Sequence, residues 1–300
     1  MKTKLLIEQH FHGCYGIDFN KAEINDILDL AYQIKKEGVG GIFPTLVTDS
    51  IENTKRQIEI IKNASQKQTD GAKILGIHLE GIFLNPEKKG IHNSAHFLKP
   101  TIENFRKIED DFIKIMTIAP ELADREFIEY LNKKGIKVQA GHCTGADLTG
   151  CSATTHTFNA MSTITHKNSS TVLSALLDDN IYTEIIADGI HVCDDALKLL
   201  FGIKPENKIL LVSDCLPCTH SDIKEFTFAD EKIYFDGKKA TSAQGTLAGS
   251  TKLLLDIIKI LGKKKMFTPQ FIENSYNYHK IDLKGEIEWD NDYNIIKIID

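Results

Sequence analysis

The chain has 300 residues, 42% of them hydrophobic, with a formal net charge of −6. That is enough apolar material for a well-buried core, and a mildly acidic balance without a basic block argues against nucleic acid or an anionic membrane surface as a partner. No apolar run reaches the roughly 18–20 residues of a membrane span, and the start MKTKLLIEQHFHG meets Glu8 and His10 too early to hold a signal-peptide core. Cys14, Cys143, Cys151, Cys193, Cys215 and Cys218 are scattered without a disulfide-scaffold pattern, which predicts reduced thiols and a cytoplasmic location. Cys215-x-x-Cys218 has no second pair at zinc-finger spacing and reads as packing.

Apolar, β-rich runs alternate with amphipathic helical stretches along most of the chain. Lys4–Gln9 reads as a strand and Lys21–Glu37 as a helix with Ile24, Ile27, Leu28 and Ala31 on one face. Val39–Val47 is the second strand, followed by a helix from Ser50 to Gln66 with Asp49 or Ser50 as its N-cap. Lys73–Leu79 is the third strand, and a long loop leads from it to a helix near Thr101–Glu109. Phe112–Ile118 is the fourth strand, with a helix over Leu122–Lys134 that Gly135 ends. Ile136–Ala140 with a short helix near Ala146, Ser152–Thr155 with a helix over Thr171–Asp179, and Tyr182–Ala187 with a helix over Asp194–Phe201 follow in turn. Lys208–Ser213 is the eighth strand, and the last long helix reads as Leu247–Leu261.

Eight strands with a helix after each predict a closed parallel (β/α)8 barrel, an α/β fold of TIM type. An open doubly wound sheet would need a Gly-rich phosphate turn after the first strand, and none is present. The barrel is expected over residues 1–275, with a β-hairpin inserted at about 225–240 and a residual β segment at 276–300. The hairpin, EFTFADEKIYFDGKKA, alternates and carries an Asp-Gly turn, and the tail alternates as well. The two are expected to pair as a small β appendage.

The polar residues at the strand ends carry the functional reading. The first strand ends in His10-Phe11-His12, and residues i and i+2 of a strand face the same side. The third ends in His78-Leu79-Glu80-Gly81, the fifth in His142, the sixth in His156, the seventh in Asp188-Gly189-Ile190-His191, and the eighth in Asp214. In this fold the catalytic groups come from the ends of several strands at one face. One metal-binding barrel explains so many imidazoles and carboxylates together. Nitrogen and carboxylate ligands without thiolate suit Zn²⁺ first, with Fe²⁺, Mn²⁺ or Co²⁺ also compatible. Such an ion polarises a carbonyl and lowers the pKa of a bound water. Asp214 is the candidate to take that water's proton and return it to a leaving group.

The motifs Gly76-Ile77-His78-Leu79-Glu80-Gly81, Lys89-Gly90-Ile91-His92, Ala140-Gly141-His142 and Thr155-His156-Thr157-Phe158-Asn159-Ala160-Met161 resemble those of the N-acetylglucosamine-6-phosphate deacetylases of the amidohydrolase superfamily. So do Ala187-Asp188-Gly189-Ile190-His191-Val192, Val212-Ser213-Asp214 and Gly245-Thr246-Leu247-Ala248-Gly249-Ser250, all in family order. The resemblance implies Glu80, His142 and His156 as principal metal ligands, with His10 and His12 as the strand-one pair that some members keep for a second ion. It implies one or two divalent ions per subunit, Asp214 as catalytic acid/base, and His191 as the group that steadies the acetyl carbonyl and sugar. Ile91, His92, Asn159, Ala160, Asp188, Leu247, Ala248 and Gly249 match substrate-lining positions. The implied reaction is metal-dependent hydrolysis of the acetamide of N-acetylglucosamine 6-phosphate, and the implied partners are this phosphorylated amino sugar and a second subunit in a homodimer.

The chain departs from the family pattern in several places. Glu8 stands for the usual Asp before the HxH pair, Ile82 for the usual Pro after Glu-Gly, and Lys167 where the phosphate-binding arginine is expected. Lysine binds a phosphate as a point charge without the bidentate fork, which keeps N-acetylgalactosamine 6-phosphate open as the substrate. The segments that form the family's small β domain are short here, so that domain is expected to be mostly missing. Two other readings compete. Cyclic amidases and dipeptidases of the superfamily typically carry a carboxylated lysine at the end of strand four, whereas this strand ends Met116-Thr117-Ile118-Ala119-Pro120. A degenerate, non-catalytic homologue would have no evident reason to keep Asp214.

Overall fold

The computed structural model describes residues 1–299. Eight parallel strands form the central sheet: β1 Leu6–Phe11, β2 Val39–Val47, β3 Ile77–Glu80, β4 Ile113–Ile118, β5 Lys137–Ala140, β6 Ala153–Thr154, β7 Tyr182–Ile185 and β8 Ile209–Leu211. Each pairs in sequence order with the next, from β1 to β8, and the sheet curls into a (β/α)8 barrel of TIM type. A two-residue strand, Lys73–Ile74, pairs with β2 ahead of β3, so the predicted third strand is split. Parallel strands of such a barrel are covered on both faces, and β1 is buried at every residue, its Glu8, Gln9 and His10 included.

Helices α1 Ile24–Lys35, α2 Ile51–Lys67, α3 Ile102–Phe105, α4 Arg125–Lys133, α5 Thr171–Leu177, α6 Asp194–Ile203, α7 Leu254–Lys263 and α8 Gln270–His279 complete the layer order. α1 shows why they form. Ile27, Leu30, Ala31 and Ile34 recur at helical spacing and are all buried, and each large side chain contributes roughly 1.5–3 kcal/mol on burial. Ser50 caps α2 by accepting the Asn53 amide, as its position in the sequence predicts.

Several expectations are corrected. No helix forms near Ala146, so β5 runs into a loop instead. Leu247–Gly249 is a strand, and the last predicted helix begins only at Leu254. Gly249, at φ +150 and pressed on the Asp214 carbonyl, has no room for a Cβ, so the position requires glycine, and pairing with Ala240–Ser242 holds the run extended. The inserted hairpin and the tail do not pair with each other. Glu225–Phe228 and Glu231–Phe235 join Ala240–Ser242 and Leu247–Gly249 in a four-stranded antiparallel sheet. The tail strand Glu286–Trp289 pairs with Lys2–Lys4 at the other end of the chain, and Ile295–Ile299 pairs with Glu286–Trp289 on its far side. Trp289 locks that sheet, its ring buried and its Nε1 donating to Thr3 Oγ1 at 2.8 Å.

The barrel seam between β1 and β8 is closed in two different ways. At the C-terminal end the backbone does it: Asp214 N donates to His10 O at 2.8 Å and His12 N to Cys215 O at 2.9 Å. At the N-terminal end α8 does it with side chains. Asn274 Nδ2 donates to the carbonyls of Glu206 and Ile209, at 2.8 and 2.7 Å, and Tyr276 Oη to the carbonyl of Leu5 at 2.9 Å. The residues after them plug the barrel. Tyr278 Oη meets Ser152 Oγ and Gln139 Nε2, and His279 stacks on Phe43 while its Nε2 meets Gln9 Oε1 at 2.9 Å. The sequence reading placed residual β structure from 276 onward, and the helix extends to His279 instead.

Asn274→Ala strips two buried carbonyls of a donor. It is expected to cost about 2 kcal/mol, read as a lower denaturant midpoint with an unchanged m-value; an unchanged midpoint would mean that α8 does not hold the seam.

Candidate metal centre

The C-terminal ends of β1, β3, β5, β6 and β8 bring His10, His12, Glu80, His142, His156 and Asp214 into contact. They form two groups that share one carboxylate. In the first, Glu80 Oε1 lies 2.9 Å from His156 Nε2 and 3.3 Å from His142 Nε2, and the two imidazole nitrogens are 3.0 Å apart. In the second, Glu80 Oε2 lies 3.4 Å from His10 Nε2 and 3.1 Å from His12 Nε2. Asp214 Oδ1 closes that group, at 3.4 and 3.2 Å from the same two nitrogens. All six residues are buried.

Backbone conformation aims these groups. His142, His156 and Asp214 sit at φ +48, +32 and +52, just past their strands. The left-handed region costs a non-glycine residue roughly 1–3 kcal/mol, and three instances at one cluster turn three side chains out of the strand direction and into the barrel mouth. Gly81 follows Glu80 at φ +155, where a Cβ would lie 2.2 Å from Thr48 Oγ1. A larger residue there would push the Glu80 carboxylate out of place.

The far side of each ring decides which nitrogen is free. Nδ1 of His142 faces the carbonyl of Lys88 at 2.8 Å, Nδ1 of His12 faces the carbonyl of Thr45 at 3.3 Å, and Nδ1 of His10 faces the Glu184 carboxylate at 3.0 Å. Carbonyls and carboxylates only accept, so these Nδ1 atoms carry protons and the Nε2 atoms are the positions that can bind an ion once they give up a proton. The Nε2 atoms of these three rings converge with His156 Nε2 and the carboxylate oxygens, and two buried ring nitrogens, His10 Nε2 and His156 Nδ1, find no hydrogen-bond partner. A divalent cation satisfies that arrangement, and the nitrogen and oxygen donors fit one. The neighbouring carboxylates have the same effect on protons. Burial opposes charge on His12, but Asp214 and Glu80 lift its pKa to about 9. Burial would raise Glu80, but His10, His12 and His142 hold it well below the usual carboxylate range. An ion that enters must therefore displace protons.

The centre opens into a cavity of about 480 Å³, the size of a small-ligand site. Ile91, His92, Asn159, Ala160, His191, Leu247, Ala248 and Gly249 line it, as do His12, Glu80, His142, His156 and Asp214. Burial and the nearby His142 push His92 down to about 4, so it is neutral, with Nδ1 2.8 Å from Thr48 Oγ1. Asp188 lies beneath the wall. Its Oδ1 accepts the amides of Ile190 and His191, and its Oδ2 holds His191 Nδ1 at 2.8 Å. Burial works against a charged His191, but the Asp188 carboxylate raises its pKa overall. Lys167 is apart from this constellation, exposed in the loop before α5 and off the cavity wall.

Three contributors escaped the sequence reading. Lys88 lines the cavity one residue before the Lys89-Gly90-Ile91-His92 motif. Phe228 reaches in from the inserted hairpin, its ring edge-on to His12 at 5.1 Å between centroids. Glu184 is fully buried in the middle of β7, behind His10. An acid inside the apolar run Tyr182–Ala187 was the available signal for Glu184. Among the described residues, Cys215 and Cys218 join no candidate metal group, all six cysteines are free, and no helix is long and apolar enough to cross a membrane.

A parallel barrel with imidazoles and carboxylates gathered at the C-terminal ends of its strands is the architecture of a metal-dependent amidohydrolase. The chain is 32% identical over 260 residues to the N-acetylglucosamine-6-phosphate deacetylase of Bacillus subtilis, covering 82% of this chain and 65% of that one. It is 30% identical over 269 residues to the enzyme of the same name from Haemophilus influenzae, covering 86% and 70%. It is also 31% identical to the N-acetylgalactosamine-6-phosphate deacetylase of a Shewanella strain, covering 81% and 64%. Among solved structures, the N-acetylglucosamine-6-phosphate deacetylase of Thermotoga maritima superposes with a TM-score of 0.91 at 25% identity, covering 99% of this chain and 86% of that one. The Pasteurella multocida enzyme gives a TM-score of 0.89 at 26% identity, covering 99% and 84%. No family model matches the chain. The chain belongs to the N-acetylglucosamine-6-phosphate deacetylase family.

Because each Glu80 oxygen faces a different group, Glu80→Gln is expected to lower divalent-metal uptake at both, by about 10-fold or more. His12→Asn should weaken the second group alone. Metal content after reconstitution and gel filtration checks this, and equal losses in the two variants would contradict the division.

Proposed function

We propose that this chain hydrolyses the acetamide of N-acetylglucosamine 6-phosphate to glucosamine 6-phosphate and acetate, with Zn²⁺ as the first choice of ion and Fe²⁺, Mn²⁺ or Co²⁺ as alternatives, one or two per subunit. The observation that carries the reading is the shared Glu80 carboxylate between two ligand groups, opening directly into a cavity that Asp214 and His191 also line. A bound divalent ion would polarise the acetyl carbonyl and supply a nucleophile from water at neutral pH. Glu80, His142 and His156 would hold one ion, and His10, His12, Glu80 and Asp214 a second.

The remaining steps fall to the chain's own residues. Asp214, drawn toward the imidazoles of His10 and His12, takes the proton from the attacking water and delivers it to the departing amine, which is too basic to leave unprotonated. His191, whose pKa the Asp188 carboxylate raises, donates from Nε2 to the oxygen that gains negative charge. Asn159, Ala160, Leu247, Ala248, Gly249, Ile91 and His92 line the cavity and would fix the sugar ring. Phe228 and its hairpin exclude water from above His12. The phosphate needs a cation. Lys88 is on the wall of this chain's own cavity, while Lys167 would reach a phosphate only by loop movement or from a second subunit, in keeping with the homodimer that is part of this reading. Relatives named for either epimeric sugar occur at similar identity, so N-acetylgalactosamine 6-phosphate is the second substrate to assay.

Metal-reconstituted protein is expected to release amine and acetate from N-acetylglucosamine 6-phosphate, and Asp214→Asn to lower kcat by at least about 100-fold. Turnover that is unchanged in Asp214→Asn, or absent with every metal and both sugars, would contradict the proposal. Asp188→Asn removes the charge that raises His191, so the imidazole loses its proton at lower pH. The alkaline fall of kcat is then expected to move down by about 1 pH unit; a limb that stays in place would mean that His191 is not the titrating donor.

A further inference from the structure

We propose that Glu184 is a positioning residue that fixes His10 as an Nε2 ligand, and so decides whether the second ligand group holds its own ion. The inference rests on the reading of His10 as a metal ligand given above. Glu184 projects from β7 into the barrel and is fully buried. Its Oε2 lies 3.0 Å from His10 Nδ1 and 3.3 Å from the His156 amide, and its Oε1 accepts Gln9 Nε2 at 2.7 Å. A buried carboxylate is strongly disfavoured unless its oxygens are satisfied, and here each oxygen has a donor. One of those donors is the ring that faces Glu80 and Asp214 on its other side.

The geometry dictates the tautomer. A carboxylate on Nδ1 accepts that proton, leaves the Nε2 lone pair free for a cation, and makes the imidazole a better ligand. The Glu184 contacts are asymmetric between the two groups. Glu184 touches the side chain of a second-group ligand, His10, but only the backbone of a first-group ligand, His156. Its loss should therefore act on one ion far more than on the other.

The orientation of Glu184 is itself held from below. His279, buried at the end of α8 and pushed down to about 3 by burial and by Lys137, is neutral and donates from Nε2 to Gln9 Oε1 at 2.9 Å. That leaves the Gln9 amide nitrogen to point at Glu184 Oε1. In Glu184→Gln the incoming amide meets this fixed donor. Its oxygen is drawn to Gln9, its NH₂ turns to His10 Nδ1, and the His10 proton moves to Nε2, where it blocks an ion.

The test is a metal titration of apo protein with Zn²⁺ against a chromogenic chelator, on wild type, Glu184→Gln, His10→Ala and the double variant. Wild type is expected to take up two ions. Glu184→Gln should bind the first with unchanged affinity and the second about 10–100-fold more weakly. In the His10→Ala background Glu184→Gln should change nothing further, since the interaction it serves is already gone. An unaltered second ion in Glu184→Gln, equal weakening of both ions, a further loss in the double variant, or a single ion in wild type would each overturn the inference. A purely structural role would weaken both groups and would persist without His10. If Glu184→Gln does not fold, ¹⁵N NMR of the zinc-loaded wild type decides: His10 protonated at Nδ1 with Nε2 on the ion is expected, and His10 protonated at Nε2 overturns the assignment. None of these measurements uses the sugar, so a failure to deacetylate contradicts only the activity proposed above.

Discussion

The structure turns on the crowding of acceptors around Glu80. Its two oxygens face four imidazole nitrogens at 2.9–3.4 Å and share the second group with Asp214 Oδ1, which lies 3.4 and 3.2 Å from two of them. In a buried setting such a set is strongly unfavourable without positive charge among its members. Protons can supply it, as the lifted His12 shows, and a divalent ion supplies it better, because the Nδ1 contacts of His10, His12 and His142 commit those three rings to offering Nε2.

Much of the fold can be understood as what holds those anchors still. The barrel seam is closed by backbone hydrogen bonds at His10, His12, Asp214 and Cys215, so the link between β1 and β8 is made by the site itself. The opposite end is closed by α8, and its Tyr278 and His279 feed a continuous polar network. Gln9, Glu184 and His10 form one branch; His78, Thr117, Thr155 and Gln139 form another, with each link between 2.7 and 3.3 Å. Barrels of this type usually fill their interior with branched aliphatic residues. Here the layer under the metal groups is polar but nearly fully satisfied, a condition that rigidifies a core and defines a single arrangement of its members.

The strand runs and their terminal histidines were legible because the runs are short, β-rich and largely apolar and a histidine follows close on their ends, as at His142 and His156. Glu80 was legible through the Gly-Ile-His-Leu-Glu-Gly string. The left-handed backbone at His142, His156 and Asp214 was not, because only glycine advertises positive φ in a sequence. α8 was missed for a related reason: Asn274 and Tyr278 are buried through hydrogen bonds to carbonyls and polar side chains, so no clean apolar stripe marks the helix. Leu247–Gly249 looked helical because Leu, Ala and Gly carry no local cue for the sheet partner, Ala240–Ser242, that holds them extended. The tail showed its alternation but not its partner, since pairing with Lys2–Lys4 spans almost the whole chain.

The claim that two ligand groups share Glu80 is tested most directly by anomalous diffraction at the zinc edge from crystals of zinc-reconstituted protein. The account predicts two peaks on opposite sides of the Glu80 carboxylate, one against His142 and His156 and the other against His10, His12 and Asp214. A single peak shared by all six side chains, or an ion bound away from Glu80, would contradict it.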